Sequence, residues 1–379
     1  MCSRWILGSF AYGTMKNNRY NQYDDFGIIS DLDNLYEAHK SCRLGKCWKD
    51  SVAVYYIRGI ECTIALNQML EAGKYKISPY HCFKVNERGK ERLIKSAKYR
   101  DRVVQKSLVD NVIMPRISPS LIHDNGASQK KKGTDFALDR VEGFLKEYVR
   151  RFGSHGYVLV GDMHHYFDSL QHNMLNGMYA RDFKDERIMS LISEIHASIP
   201  GGVGVPLGNQ LSQVDALMAA SPIDHMIKDE MQNRYYERYN DDFCLIGQNK
   251  DYLKYCLQRI EAKAAELHLT LNEKKTQIAT LQHGFNFLGF HLFVTESGKV
   301  VRVLRTKSKV HQKQKLRKLK KKLDAGEVTM DKIQQSYGSW KAHAMRGNTH
   351  NLCRNMDKYF KGLFGVDPKP IKKKKNRRK

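Results

Sequence analysis

The sequence predicts a mixed α/β core carrying an all-helical, strongly basic appendage. Three observations predict it. Short apolar or alternating strand patterns interleave with helical ones between about residues 80 and 300. After Val300 the composition turns to Lys and Arg with few acids, and helical patterning takes over. Of 379 residues, 41% are hydrophobic and 10% aromatic, enough to bury a sizeable interior, which excludes a wholly disordered chain.

The elements follow in order. Residues 1–30 are polar and rich in Asn and Tyr, so order is expected to be poor at the start. From 32 to 72 apolar residues such as Leu35, Val52, Ile57, Ile64 and Leu70 recur at helical spacing, and Gly73 is placed to close the last turn. Residues 80–85 and 92–96 alternate around a glycine-containing turn at 86–90, which predicts a β-hairpin carrying Lys84, Arg88, Lys90 and Arg92. An amphipathic helix over 102–114 should stop at Pro115. A basic turn at 130–133 leads into a helix over 135–152, and Tyr157-Val158-Leu159-Val160 is a buried-strand pattern running into Asp162. A glycine-rich segment at 201–208 precedes a helix over 212–231. Residues 236–246 read as strand, tight turn, strand, with Asn240 and Asp241 in the turn. A helix over 251–267 and a strand pair over 285–294 follow. In 301–323, Leu304, Leu316, Leu319 and Leu323 mark one packed face of a basic helix, and residues 369–379 form a low-complexity basic tail.

Lys and Arg exceed Asp and Glu by 65 − 40, or +25, which favours a polyanionic partner, nucleic acid or an anionic membrane surface. No apolar run approaches the ~20 residues of a membrane span, so no membrane role is expected. Eight cysteines are scattered without a C-x-x-C pair and read as reduced thiols in a cytoplasm.

Two features call for a joint explanation: Asp162 at the end of a buried strand, and the pair Asp241-Asp242 at a hairpin tip. Neighbouring carboxylates resist ionising together unless a cation neutralises them. Hard divalent ions take oxygen ligands and leave positions open for phosphate, which suits phosphoryl transfer. Asp-Asp pairs also occur in solvated turns, and Tyr23-Asp24-Asp25-Phe26 is such a decoy, with neither a strand nor a partner Asp. His164 and His165 are set aside as metal ligands because strand alternation would point them to opposite faces.

Tyr239-Asn240-Asp241-Asp242 resembles the Y-x-D-D box of reverse transcriptases. The stretch from Gly161 and Asp162 to Phe167 resembles their first palm motif, an Asp followed five residues later by an aromatic. Residues 205–213 resemble their glycine-rich loop, but Leu207 stands where most members have Gln and Gln213 where they have Pro. That G-x-x-x-S-Q variant, with Tyr337-Gly338-Ser339-Trp340 and Asn348-Thr349-His350 near the end, is similar to the enzymes of diversity-generating retroelements.

The resemblance implies an α+β right-hand polymerase with an N-terminal helical extension and a basic C-terminal tail. Its parts would be an extension at 1–72, helical after about 32; fingers at 73–156; a palm at 157–300 with interleaved fingers segments; a basic helical thumb at 301–365; and a tail at 366–379. Asp162, Asp241 and Asp242, with the Met163 carbonyl, would hold two Mg²⁺ ions, Mn²⁺ being a possible substitute. Arg92, Phe167, Leu207, Gly208, Gln213 and Lys275 would meet the nucleotide, Phe167 by excluding a ribose 2′-OH. Phe287, Leu288, Gly289 and Phe290 would form a primer grip, although aromatics there suit a core equally well. Arg302, Arg305, Lys307, Lys313 and Arg317 would follow a sugar–phosphate backbone. The implied activity is RNA-directed DNA synthesis, copying a template RNA into adenine-mutagenised cDNA from dNTPs. The implied partners are that RNA, the cDNA and a small basic oligomeric accessory protein, in the cytoplasm of a bacterial or phage-infected cell. Two rivals stand beside this reading: a phage-defence reverse transcriptase working with a noncoding RNA, and a catalytically silent RNA-binding scaffold.

Overall fold

A computed structural model describes residues 22–87 and 90–371. Residues 1–21, the hairpin tip with Arg88, and most of the basic tail (372–379) lie outside the described residues. The chain divides into two compact units, 1–120 with 171–214, and 121–170 with 215–379. The second unit therefore takes residues 121–156, which the sequence reading assigns to the fingers.

The first unit is mainly helical. Helices Leu32–Arg43, Asp50–Ile57 and Gly59–Glu71 occupy the region where helical spacing predicts them. Gly73 follows the last of these with φ +63°, the left-handed closing conformation that glycine adopts without strain. Strands β1 (His81–Glu87) and β2 (Lys90–Ser96) form the expected antiparallel hairpin, with Val85 opposite Arg92. Pro115 does not end the next helix. Residues Tyr99–Ser107 are α-helical, Leu108–Ile113 form a π-helical stretch, and Met114–Ile117 continue with Pro115 in their first turn. The π-helical stretch has already shifted the ladder, so that Met114 N–H bonds Val109 O. Proline's missing donor is tolerated at such a first turn.

Helices His172–Asp182 and Glu186–Ala197 complete this unit, and sequence patterning did not reveal them. The decoy pair has a structural role here. The Asp24 carboxylate accepts the backbone N–H groups of Lys184 and Asp185, and Asp25 accepts that of Gly27.

The second unit is built on an antiparallel sheet of order β4-β5-β3-β6. Its strands are β3 (Tyr157–Asp162), β4 (Tyr236–Tyr239), β5 (Asp242–Gly247) and β6 (Gln277–Thr280). Helices Thr134–Phe152 and Lys250–Glu266 pack with it, and the inward residues of the first join Val158, Val160, Cys244 and Ile246 in one core. A three-stranded sheet follows: β7 (Phe285–Phe287), β8 (Phe290–Val294) and β9 (Val300–Leu304). Sequence patterning missed β6 and β9.

Past β9 the helices Thr306–Asp324, Met330–Ala344 and His350–Phe364 share a core of Leu316, Ile333, Tyr337, Met356 and Phe360. Leu319 and Leu323 pack on it as their spacing suggests, whereas Leu304 sits on β9 in the other core. The expected helix over 212–231 is broken into Gln210–Ala219, Ser221–His225 and a π-helical Met226–Glu230. Ala220 leaves helical geometry at the break, and Pro222 opens the next turn. The seven described cysteines are free, and no helix among the described residues is long and apolar enough to cross a membrane.

Candidate active site

The second unit brings the three acidic residues to one end of its sheet. β3 runs antiparallel to β5 in a register that sets Asp162 directly opposite Asp242. Tyr239 pairs with Asp242 across the β4–β5 hairpin, leaving Asn240 and Asp241 as a two-residue turn. Asn240 takes φ +52°, and Asn is among the few non-glycine residues that tolerate this region. The turn carbonyl of Asp241 accepts the Met163 N–H at 3.1 Å, which ties the end of β3 to the hairpin tip.

Behind the acids, Gly161 lies opposite Phe243. A Cβ at 161 would stand 2.2 Å from the Phe243 ring, so only glycine lets these strands pair. Gly161→Ala is expected to destabilise the fold by about 1–3 kcal/mol through overpacking, measurable by urea denaturation.

Asp162 is buried at 5% exposure, and each of its carboxylate oxygens accepts a hydrogen bond. Lys275 Nζ donates to Oδ2 at 2.5 Å and Asn272 Nδ2 to Oδ1 at 3.2 Å. The Asn272 N–H donates to the Asp162 carbonyl at 2.7 Å, and Met163 bridges Leu271. The segment before β6 thus holds Lys275, not its neighbour Lys274, against the acid.

Asp242 is only partly buried, and its carboxyl is pushed up to about 7. Burial is the largest cause; repulsion from Asp241 and Asp162 adds to it, and Lys275 opposes it. The folded chain therefore retains a proton on Asp242 that the unfolded chain has released above about pH 4. The stabilisation is complete below that pH and is lost as pH rises through about 7. In the absence of divalent cations, the thermal midpoint of the native chain should fall between pH 5 and pH 8. The same scan on Asp242→Asn should fall less and end higher at pH 8.

This unrelieved repulsion is what a bound cation would remove. Among the described residues no group of three His, Cys, Asp or Glu side chains converges as a complete metal cage. Mg²⁺ does not need one, because it is commonly held by one or two carboxylates together with waters and substrate phosphates. The donor set of Asp162, Asp241 and Asp242 fits that use.

Phe167 is half-buried on the short helix Tyr166–Ser169, its ring edge-on to Tyr166 at 5.8 Å. Contrary to expectation, strand alternation does not govern His164 and His165. The strand ends at Asp162 and His165 has φ +47°, so the two rings are not sent to opposite faces but pack edge to face at 4.2 Å. Phe287 and Phe290 point into the core, at 3% and 0% exposure. The β7–β8 turn between them, Leu288 and Gly289, has positive φ at both residues and is half-buried, with Leu288 packed on the same core.

The expectation for Arg302 is corrected as well. It lies on β9, not on the basic helix that follows, and its guanidinium is spent on Asp139 at 3.0 Å and Glu142 at 3.4 Å. Arg305, Lys307, Lys313 and Arg317 are exposed at or along the helix Thr306–Asp324.

The other expected nucleotide contacts belong to the first unit. Leu207 and Gly208 line a cavity of about 840 Å³ that also includes Tyr55, Lys98, Tyr99, Arg100 and Arg102. Asn209 Nδ2 donates to Tyr80 Oη at 2.8 Å and Gln210 Nε2 to Asp110 at 2.7 Å, anchoring the loop. Gln213 lies in the helix that follows, and Arg92 on β2.

Sequence reasoning missed Arg238, Asp224 and Asn272. Arg238 and Asp224 are fully buried and paired at 2.7 Å. An Arg between Tyr236 and Phe243 was the available signal, since a charge in a buried strand needs a partner.

The family model for reverse transcriptase (RNA-dependent DNA polymerase) matches residues 83–292, more than half of the chain. The protein belongs to the reverse transcriptase family. No curated protein matches it. Among solved structures it is similar to apo telomerase from Candida tropicalis truncated from its C-terminal domain, at 17% identity and TM-score 0.42, covering 64% of this chain and 60% of that one. Telomerase from Candida albicans in complex with a fragment of telomeric RNA matches at 12% identity and TM-score 0.45, covering 78% of this chain and 56% of that one. The chain thus spans little more than half the length of these telomerases.

Proposed function

We propose that this protein is an RNA-directed DNA polymerase of the diversity-generating retroelement type. The observation that carries the polymerase reading is Asp162 opposite Asp242, beside the turn that presents Asp241, in a chain of the reverse transcriptase family. Asp162, Asp241 and Asp242, with the Met163 carbonyl, would hold Mg²⁺, or Mn²⁺ in its place. When bound, such ions neutralise the triphosphate and favour ionisation of a primer 3′-OH. Lys275, already hydrogen-bonded to Asp162, would serve as the donor to a departing pyrophosphate. The half-buried Phe167 ring excludes a 2′-OH. Phe167→Ala should raise rNTP incorporation relative to dNTP by about 100-fold in single-nucleotide extension, with dNTP incorporation little changed.

The retroelement reading rests on Leu207 and Gln213. A leucine offers apolar contact where a glutamine would hydrogen-bond, and apolar walls discriminate less sharply. The expected substrates are a template RNA and dNTPs; a small basic oligomeric accessory protein and a cytoplasmic setting in a bacterial or phage-infected cell belong to the same proposal. Extension of a DNA primer on an RNA template with Mg²⁺ tests the activity, and misinsertion opposite template adenine tests the subtype. Tight preference for dTMP opposite adenine would count against the subtype alone. Absence of extension under conditions where the RNA binds would count against the polymerase.

A further inference from the structure

The buried Arg238 lies on β4, three residues before Asp241, and its five N–H donors are all used. Nε donates to Asp224 Oδ1 and Nη2 to Asp224 Oδ2, each at 2.7 Å, a bidentate pair. Nη2 also donates to Leu217 O at 3.0 Å, and Nη1 to Ala216 O at 3.3 Å. The fifth bond runs from Nη1 to the Asn240 carbonyl at 3.0 Å. That carbonyl belongs to the positive-φ residue of the turn that presents Asp241.

The surroundings fix the arginine in turn. Tyr236 Oη donates to Asp224 Oδ1 at 2.8 Å, and Tyr166 Oη to Ala216 O at 2.6 Å. The Arg238 backbone is held on its second edge by Asn125, with Gly126 N–H donating to Arg238 O and Arg238 N–H to Asp124 O. A lysine has three donors on a flexible stem and cannot serve this planar set of acceptors.

We propose that Arg238, oriented by Asp224, is a positioning residue that clamps the Asn240–Asp241 turn and so sets where Asp241 presents its carboxylate. The inference rests on the polymerase reading above. It gives the buried pair a use beyond stability, because an apolar pair could fill the same volume. The clamp joins the turn to the Ala216 and Leu217 carbonyls, so the hairpin tip cannot shift without breaking several buried bonds at once.

Arg238→Lys and Asp224→Asn test this in the full chain. Asp224→Asn keeps the shape and an acceptor for Tyr236 but leaves the buried guanidinium without its counter-charge, whereas Arg238→Lys keeps the charge pair, so the lysine variant should fold even if the asparagine variant does not. Well below each unfolding midpoint, kcat for dNTP incorporation should fall about 100-fold, with the dNTP KM and primer–template affinity within threefold of wild type. Amide exchange in the peptide spanning 236–247 should accelerate while that of β3 stays protected. A lowered midpoint with wild-type kcat and wild-type exchange at the turn would reduce the pair to a fold-stabilising role and overturn the inference. If the wild type itself extends no primer, the polymerase reading falls, and exchange at the turn alone decides: faster exchange supports the clamp, and unchanged exchange overturns it.

Discussion

Asp241→Asn is expected to end nucleotide incorporation and to leave RNA binding nearly intact. The substitution keeps the turn, because Asn is isosteric and the bonds that shape this tip run through the carbonyls of Asn240 and Asp241. It removes a charge from a group where Asp162, Asp241 and Asp242 already act on one another. The expected loss is at least about 1,000-fold in single-turnover rate, roughly 4 kcal/mol of transition-state stabilisation. Asp162→Asn should match it in rate and also release Lys275 from its 2.5 Å contact. Filter binding of a labelled template RNA should differ from wild type by less than threefold in both variants. A variant that lost RNA binding along with activity would place these acids in the fold and not in the chemistry.

The second large effect concerns the basic helix that follows β9. The helix Thr306–Asp324 carries nine Lys and Arg against one Asp, and Lys313, Arg317, Lys318 and Lys321 are all exposed on it. Its apolar residues pack on Ile333, Tyr337, Met356 and Phe360, so removing these charges leaves those apolar contacts in place and costs only the contacts of Lys313 and Arg317 with Tyr359. Replacing the four by Gln should weaken primer–template binding about 100-fold at moderate salt. It should also reduce the slope of log K against log salt by roughly 3, since each phosphate left without its cation lowers the slope by about 0.7–0.9. The weakening should be uniform across template sequences, because phosphate contacts carry no base information. Arg302→Gln, by contrast, removes a guanidinium already paired with Asp139 and Glu142 and should leave the salt slope unchanged.

The sequence exposed most of the acidic centre because its determinants are local. A β-hairpin with a two-residue turn fixes Asp241 and Asp242 within a few positions, and an apolar run marks Asp162 as the end of a buried strand, which β5 and β6 flank. The decoy at Asp24 and Asp25 was separable by the same reasoning, and those acids cap backbone donors. What stayed hidden depends on distant pairing. β9 is short and sits in a basic stretch, so Arg302 reads as thumb until its strand places it on Asp139. Pro115 reads as a stop because local sequence does not announce a π-helical shift. The Arg238 clamp joins residues up to 22 positions apart, and no periodicity records such a pairing. Phe287 and Phe290 were open between grip and core, and burial resolves both as core.

Asp162, Asp241 and Asp242 are proposed to gather divalent cations beside an incoming deoxynucleotide. Mn²⁺ electron paramagnetic resonance tests it directly, on the chain mixed with a chain-terminated primer annealed to template RNA and the next dNTP. Wild type should retain Mn²⁺ only when the nucleotide is present, and Asp162→Asn and Asp241→Asn should retain far less at equal RNA occupancy. Equal Mn²⁺ retention by wild type and both variants would contradict it.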